Sequence, residues 1–150
     1  MKQLSLFIIA ISITTLLHAQ DSTIKFSFDH LALSVKDLNR SADFYATVLM
    51  LPEIVNRTKM EGIRWFALAD GKELHLISII KKKFKLNKAI HMGLSINRFD
   101  EFVKRLSTLK IPYSDWPGKA NTVNIRTDRI KQIYFQDPDG YWIEVNNVQK

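Results

Sequence analysis

The chain contains no cysteine. No disulfide can brace it, no thiolate can serve as a nucleophile, and a metal would have to be held by histidine or carboxylate side chains. Other signatures are missing too. There is no G-x-S-x-G, no phosphate-binding P-loop and no G-x-G-x-x-G, so serine hydrolysis and nucleotide binding have no motif behind them. Beyond residue 19 no apolar run is long enough to cross a bilayer, which takes roughly 20 residues. The formal charge is +7, yet the basic residues are scattered and no nucleic-acid motif accompanies them, so nucleic acid is not an expected partner. The densest run, Lys81, Lys82, Lys83, Phe84 and Lys85, reads as a solvated loop.

What is present begins with MKQLSLFIIAISITTLLHAQ. One lysine, an apolar stretch from Leu4 to Leu17, and Ala19 ahead of polar sequence have the layout of a secretory signal peptide over residues 1–19. A periplasmic or secreted protein is expected, with no stable membrane insertion once the leader is cleaved. Residues 20–150 suffice for one domain with its own core and are too few for two of ordinary size.

That domain repeats itself. IRWFALADGKELHLIS, residues 63–78, aligns with QIYFQDPDGYWIEVNN, residues 132–147, at an offset of 69. Trp65 falls on Tyr134, Phe66 on Phe135, Asp70-Gly71 on Asp139-Gly140, and His75 on Glu144. Upstream, DHLALSV at 29–35 aligns with IHMGLSI at 90–96 at an offset of 61, which places His30 on His91. Each of these strands leads into a helical stripe, Leu38, Ala42, Tyr45 and Leu49 in one copy and Phe99, Phe102, Leu106 and Leu109 in the other. Ile54 to Asn56 and Thr122 to Ile125 are the expected weaker strands between helix and hairpin. The growth of the offset means extra residues in the second copy, for which the loop of Pro112, Trp116, Pro117 and Gly118 is the natural place. The expected architecture is α+β: two βαβββ modules, about 25–80 and 86–148, forming a cupped mixed sheet.

The repeat also sorts the chemistry. All three histidines after the leader, His30, His75 and His91, occupy symmetry-related positions, and the fourth position holds Glu144. Strand alternation turns His75 away from Leu74 and Leu76, and Glu144 away from Ile143 and Val145. Three imidazoles and a carboxylate converging in a cleft would suit Zn, Ni, Co, Mn or Fe as a divalent ion. Glu73 is expected to face away from His75 as a surface charge. Arg126 and Arg129 precede the last hairpin and are candidates for binding a substrate carboxylate or phosphate. Trp65 and Tyr134 are candidates for walling the cup.

FDHLALSVKDLNRSADFYATVL and YFQDPDGYWIEV resemble the vicinal oxygen chelate superfamily, which includes glyoxalase I, fosfomycin-resistance transferases, bleomycin-binding proteins and extradiol dioxygenases. The resemblance covers about Phe26 to Val148. It implies paired βαβββ modules, a metal in the cup held by His30, His91 and Glu144, a small oxygen-chelating substrate, and a homodimer. Where glyoxalase I carries a second glutamate, this chain has His75, so Glu144 alone keeps the position of that enzyme's base. The expected function is a metal-dependent lyase or isomerase of the glyoxalase I type, in which His30, His75, His91 and Glu144 hold the metal and Glu144 is also the candidate base. The alternatives are a metal-free binding protein that sequesters a small molecule, and an Fe(II) ring-cleaving dioxygenase.

Overall fold

The computed structural model describes residue 24 and residues 26–80 and 85–149. The leader and most of the lysine run lie outside the described residues. Both expected modules are present. The first consists of β1 (His30–Ser34), α1 (Leu38–Thr47), β2 (Glu53–Ile54), β3 (Ile63–Ala67) and β4 (Glu73–Ile77). The second consists of β5 (His91–Ser95), α2 (Phe99–Thr108), β6 (Tyr113–Ser114), β7 (Asn124–Ile125), β8 (Lys131–Gln136) and β9 (Trp142–Asn146). Each builds its own mixed sheet, in the order β1-β4-β3-β2 and β5-β9-β8-β6, with β7 also on β8. The parallel pairs are β1 with β4 and β5 with β9. The first strand of each module therefore ends up at a sheet edge.

Local sequence accounts for the two helices. Asp37 caps α1, its carboxylate accepting from the amides of Asn39 and Arg40, which satisfies donors that a helix start leaves free. The α2 start has no side-chain cap but carries Asp100 and Glu101 in its first turn, where negative charge complements the helix dipole. The inward stripe of α1 is Ser41, Ala42 and Tyr45, and that of α2 is Phe99, Phe102 and Leu106. All but Ser41 join one hydrophobic cluster in which Phe66, Leu74 and Leu76 of the first module meet Ile133, Phe135, Ile143 and Val145 of the second.

One strand assignment differs from the sequence reading. Residues 122–125 were expected to be the counterpart of β2, but β2 lies beside Trp65 and Phe66, and their equivalents Tyr134 and Phe135 lie beside β6 at Tyr113–Ser114. Strand β7 instead flanks the other end of β8, opposite Lys131 and Gln132. The reason is that a two-residue strand has too little pattern of its own, and the cross-strand neighbour decides which residues pair.

The hairpin turn between β8 and β9 does more than reverse the chain. Gly140, at φ 92°, supplies the left-handed conformation the reversal needs. The two aspartates beside it cross to the first module. Buried Asp137 accepts from the Tyr45 hydroxyl at 2.9 Å and from the amides of Asp139 and Tyr141. Asp139 accepts from Ser41 Oγ at 2.7 Å and from the Lys36 amide at 3.0 Å. Tyr141 donates back to the Ser34 carbonyl. Burial pushes the Asp137 carboxyl above its ordinary value, against these hydrogen bonds, and burial followed by the neighbouring Asp137 pushes the Tyr45 phenol well up.

Removing one member of such a buried set leaves others unsatisfied. Asp139→Ala is expected to cost about 1–3 kcal/mol. Chemical denaturation should show a lower midpoint with an unchanged slope, both modules still unfolding together.

Candidate metal centre

The repeat is reproduced in the strand register. In the first sheet Ala32, His75 and Trp65 stand in one cross-strand row. In the second the row is Gly93, Glu144 and Tyr134. His30 and His91 sit one step along, opposite Glu73 and Trp142. Since side chains alternate along a strand, each row lies on the face opposite the buried Leu74 and Leu76, or Ile143 and Val145.

In the second sheet Glu144 anchors a polar network. Tyr134 donates its hydroxyl to Glu144 Oε2 at 2.6 Å, and Gln132 Nε2 donates to the Tyr134 oxygen at 2.7 Å. Asn146 Nδ2 donates to Glu144 Oε1 at 2.9 Å. Burial, then the Glu144 carboxylate, push the Tyr134 phenol far above its ordinary value, so it remains a donor. His91 Nδ1 lies 2.9 Å from the Lys88 carbonyl. A carbonyl can only accept, which puts a proton on Nδ1, and Nε2 lies 3.3 Å from Glu144 Oε2.

The first sheet carries a stack. The His75 ring lies between two others, 4.3 Å from His30 and 4.0 Å from Trp65, with interplanar angles of 18° and 9°. The Arg57 guanidinium lies over the Trp65 ring at 4.6 Å, a cation–π contact. His30 Nδ1 is 2.7 Å from Asp29 Oδ2, an arrangement that frees Nε2. His75 differs, because its Nε2 meets Glu73 Oε2 at 2.8 Å while Arg57 holds the other Glu73 oxygen at 2.8 Å. The expectation that Glu73 faces away from His75 is overturned, since residues two apart on a strand share a face. His75 and then Arg57 hold the Glu73 carboxyl below its ordinary value, and His30 does the same for Asp29. The Trp65 indole N–H is the buried side-chain polar atom with no partner among the described residues.

His30 and His75 are thus together, and so are His91 and Glu144. Among the described residues no group of three or more histidine, cysteine, aspartate or glutamate side chains is arranged to hold a metal. Trp65 and Tyr134 are buried and stand in the rows of His75 and Glu144. Arg126 pairs with Asp128 on the surface, though its charge is felt at Tyr134. Arg129 is an exposed turn residue at φ 67°. Sequence reading missed Gln132, Asn146 and Glu73, all placed by the two-residue strand period beside predicted site residues. It also missed Lys88 and Trp116, which come from loops and leave no periodic signal.

The donor chemistry fits a divalent ion. His30 and His91 each turn Nδ1 to an acceptor, the orientation that a carboxylate or carbonyl imposes on metal-binding imidazoles. His91 Nε2 and Glu144 Oε2, 3.3 Å apart, are one nitrogen and one oxygen donor of the kind a divalent ion takes. His75 Nε2 is already engaged by Glu73. One chain presents these donors as two half-sets on separate sheets.

This fold coincides with a match to known proteins. The model of the glyoxalase/bleomycin resistance protein/dioxygenase superfamily matches residues 27–145, and the chain belongs to that superfamily. Relatives include the metallothiol transferase FosB of Shouchella clausii (strain KSM-K16), 30% identical over 79% of this chain and 77% of the relative. FosB of Staphylococcus epidermidis (strain ATCC 12228) is 32% identical over 80% of each. Among solved structures, a glyoxalase/dioxygenase from Nostoc punctiforme superposes with a TM-score of 0.66 at 27% identity, over 83% of this chain and 92% of that one.

Tyr134→Phe keeps the ring and removes the hydroxyl donated to Glu144. It is expected to weaken divalent-ion binding by about tenfold or more. Competition against a chromophoric chelator measures this, with circular dichroism checking that the fold is kept.

Proposed function

We propose that this chain is an exported, metal-dependent enzyme in which His30, His91 and Glu144 hold a divalent ion and two copies together complete each site. The observation that carries this reading is the matched orientation of His30 and His91, each held through Nδ1, with Nε2 of His91 turned to Glu144. Zn, Ni, Co, Mn and Fe all accept such a nitrogen and oxygen set. The two-copy arrangement is supported by topology, since His30 lies on β1 and His91 on β5, the free edges of their sheets. Phe26, Phe28 and Ile90 are exposed beside those edges. An apolar groove of about 800 Å³ is lined by Phe28 and Leu31 on one side and Met92 and Leu94 on the other. A second copy laying its β1 along β5 brings His30 to His91 and Glu144. Export is supported by the pattern of residues 1–19; no helix among the described residues is long and apolar enough to cross a membrane.

When bound, the ion supplies Lewis-acid polarisation of a small oxygen-chelating substrate. The protein side chains decide which reaction that serves. A proton shuttle between adjacent carbons uses bases flanking the substrate. Here Glu144 is held by Tyr134 and Asn146, and the symmetric His75 gives its Nε2 to Glu73. This pairing supports transfer of a nucleophile to the substrate, the type of reaction that the name metallothiol transferase denotes for FosB. Isomerisation of the glyoxalase I type is the second reading, favoured by Glu144 retaining the position of a base. His75 then serves as a stacked wall, together with Trp65.

Elemental analysis of the purified protein should find stoichiometric divalent metal. His91→Ala and Glu144→Ala should lose it, His75→Ala should retain it, and sedimentation should report a dimer. Thiol consumption with small electrophiles is expected to require the metal, whereas turnover of hemithioacetals would favour the isomerase reading. A metal-free wild type that is folded and fully active would sink both readings, and ligand binding without metal or turnover would indicate sequestration.

A further inference from the structure

The residues that lengthen the second module lie between β6 and β8, and the first turn of that insertion is tightly built. The Asp115 carboxylate accepts from the Gly118 and Lys119 amides at 2.8 and 2.6 Å. Ser114 and Ala120 form a β-bridge across its base, where Asn121 donates to the Tyr113 carbonyl. From below, the Lys88 ammonium donates to Ser114 Oγ and to the carbonyls of Asp115 and Trp116, at 3.1, 2.9 and 3.1 Å. The same ammonium sits over the rings of Trp142 and Tyr134 at 4.7 and 5.3 Å. With its donors used in this way, Lys88 is a clamp on the loop.

What the clamp presents is Trp116. Its ring stands edge-on to Tyr134 at 5.3 Å and to His91 at 6.3 Å, yet the residue is 46% exposed. A large apolar ring beside His91 and Tyr134, with nearly half its surface uncovered, is a ready-made contact for a planar or apolar group. We propose that Trp116 is a specificity-determining wall which takes the planar or apolar substituent of a substrate whose oxygens are held at His91 and Glu144. The proposal rests on the metal-centre reading above. It assigns Trp116 no part in holding the ion, which belongs to residues fixed by other partners.

Hydroxamates chelate through two oxygens and differ in their substituent, so they separate the two ideas. Full-length protein loaded with Co(II) is titrated with acetohydroxamate and benzohydroxamate, and the visible Co(II) spectrum reports chelation. Both compounds should perturb the spectrum. Trp116→Ala should weaken benzohydroxamate by about tenfold and leave acetohydroxamate unchanged within about twofold, and Trp116→Phe should retain most of the benzohydroxamate affinity. Equal weakening of both compounds, no weakening of either, or loss of Co(II) binding in both Trp116 variants overturns the proposal while leaving the metal centre intact in the wild type. Failure of the wild type to bind Co(II), or of both compounds to perturb its spectrum, overturns the metal-centre reading and the proposal with it.

Discussion

Everything about the placement of the site depends on the junction between a turn and a helix. Asp137 and Asp139 belong to the hairpin of the second module, but their carboxylates are satisfied by Tyr45, Ser41 and the Lys36 amide of the first. Hydrophobic contacts such as those of Phe66, Phe102 and Phe135 hold the modules together, but apolar packing is not directional. A buried carboxylate is directional, because few positions of its neighbours satisfy it. The junction therefore sets how the helical sides of the two modules meet, and with it where β1 and β5 stand as free edges. Those edges carry His30 and His91.

Two equivalent rows have diverged in chemistry while keeping their geometry. At one position Trp65 stacks on His75, and at the equivalent one Tyr134 donates a hydrogen bond to Glu144. The aromatic ring is common to both rows. An imidazole is well stabilised by stacking, and Glu73 then occupies its outer nitrogen. A carboxylate gains more from a hydroxyl and an amide, and Tyr134 and Asn146 provide them. One row is therefore an aromatic stack, and the other a carboxylate fixed by two hydrogen bonds.

Much of this was legible from residue spacing. The two offsets identified the modules, the helical stripes and the pairing of His30 with His91, because tandem copies keep their register wherever packing demands it. The errors have physical causes. Glu73 follows the same two-residue alternation that places His75, and applying that period consistently puts both on one face. The counterpart of β2 is a strand of two residues, whose identity depends on the neighbour it pairs with. Lys88 and Trp116 meet the site through loops, where no periodicity relates sequence position to spatial position.

The amino-acid sequence by itself determined the modular architecture and the four symmetry-related donors, since hydrophobic period and repeat are local properties of the chain. Tertiary structure alone decided how those donors are used. It divided them into two pairs on separate sheets, turned Nδ1 of His30 and His91 to acceptors, and turned His75 toward Glu73. It also set the Trp116 ring beside His91. The physical reason is that a strand period fixes the face a side chain occupies, whereas the hydrogen-bond partners that orient an imidazole or carboxylate come from wherever the fold brings them.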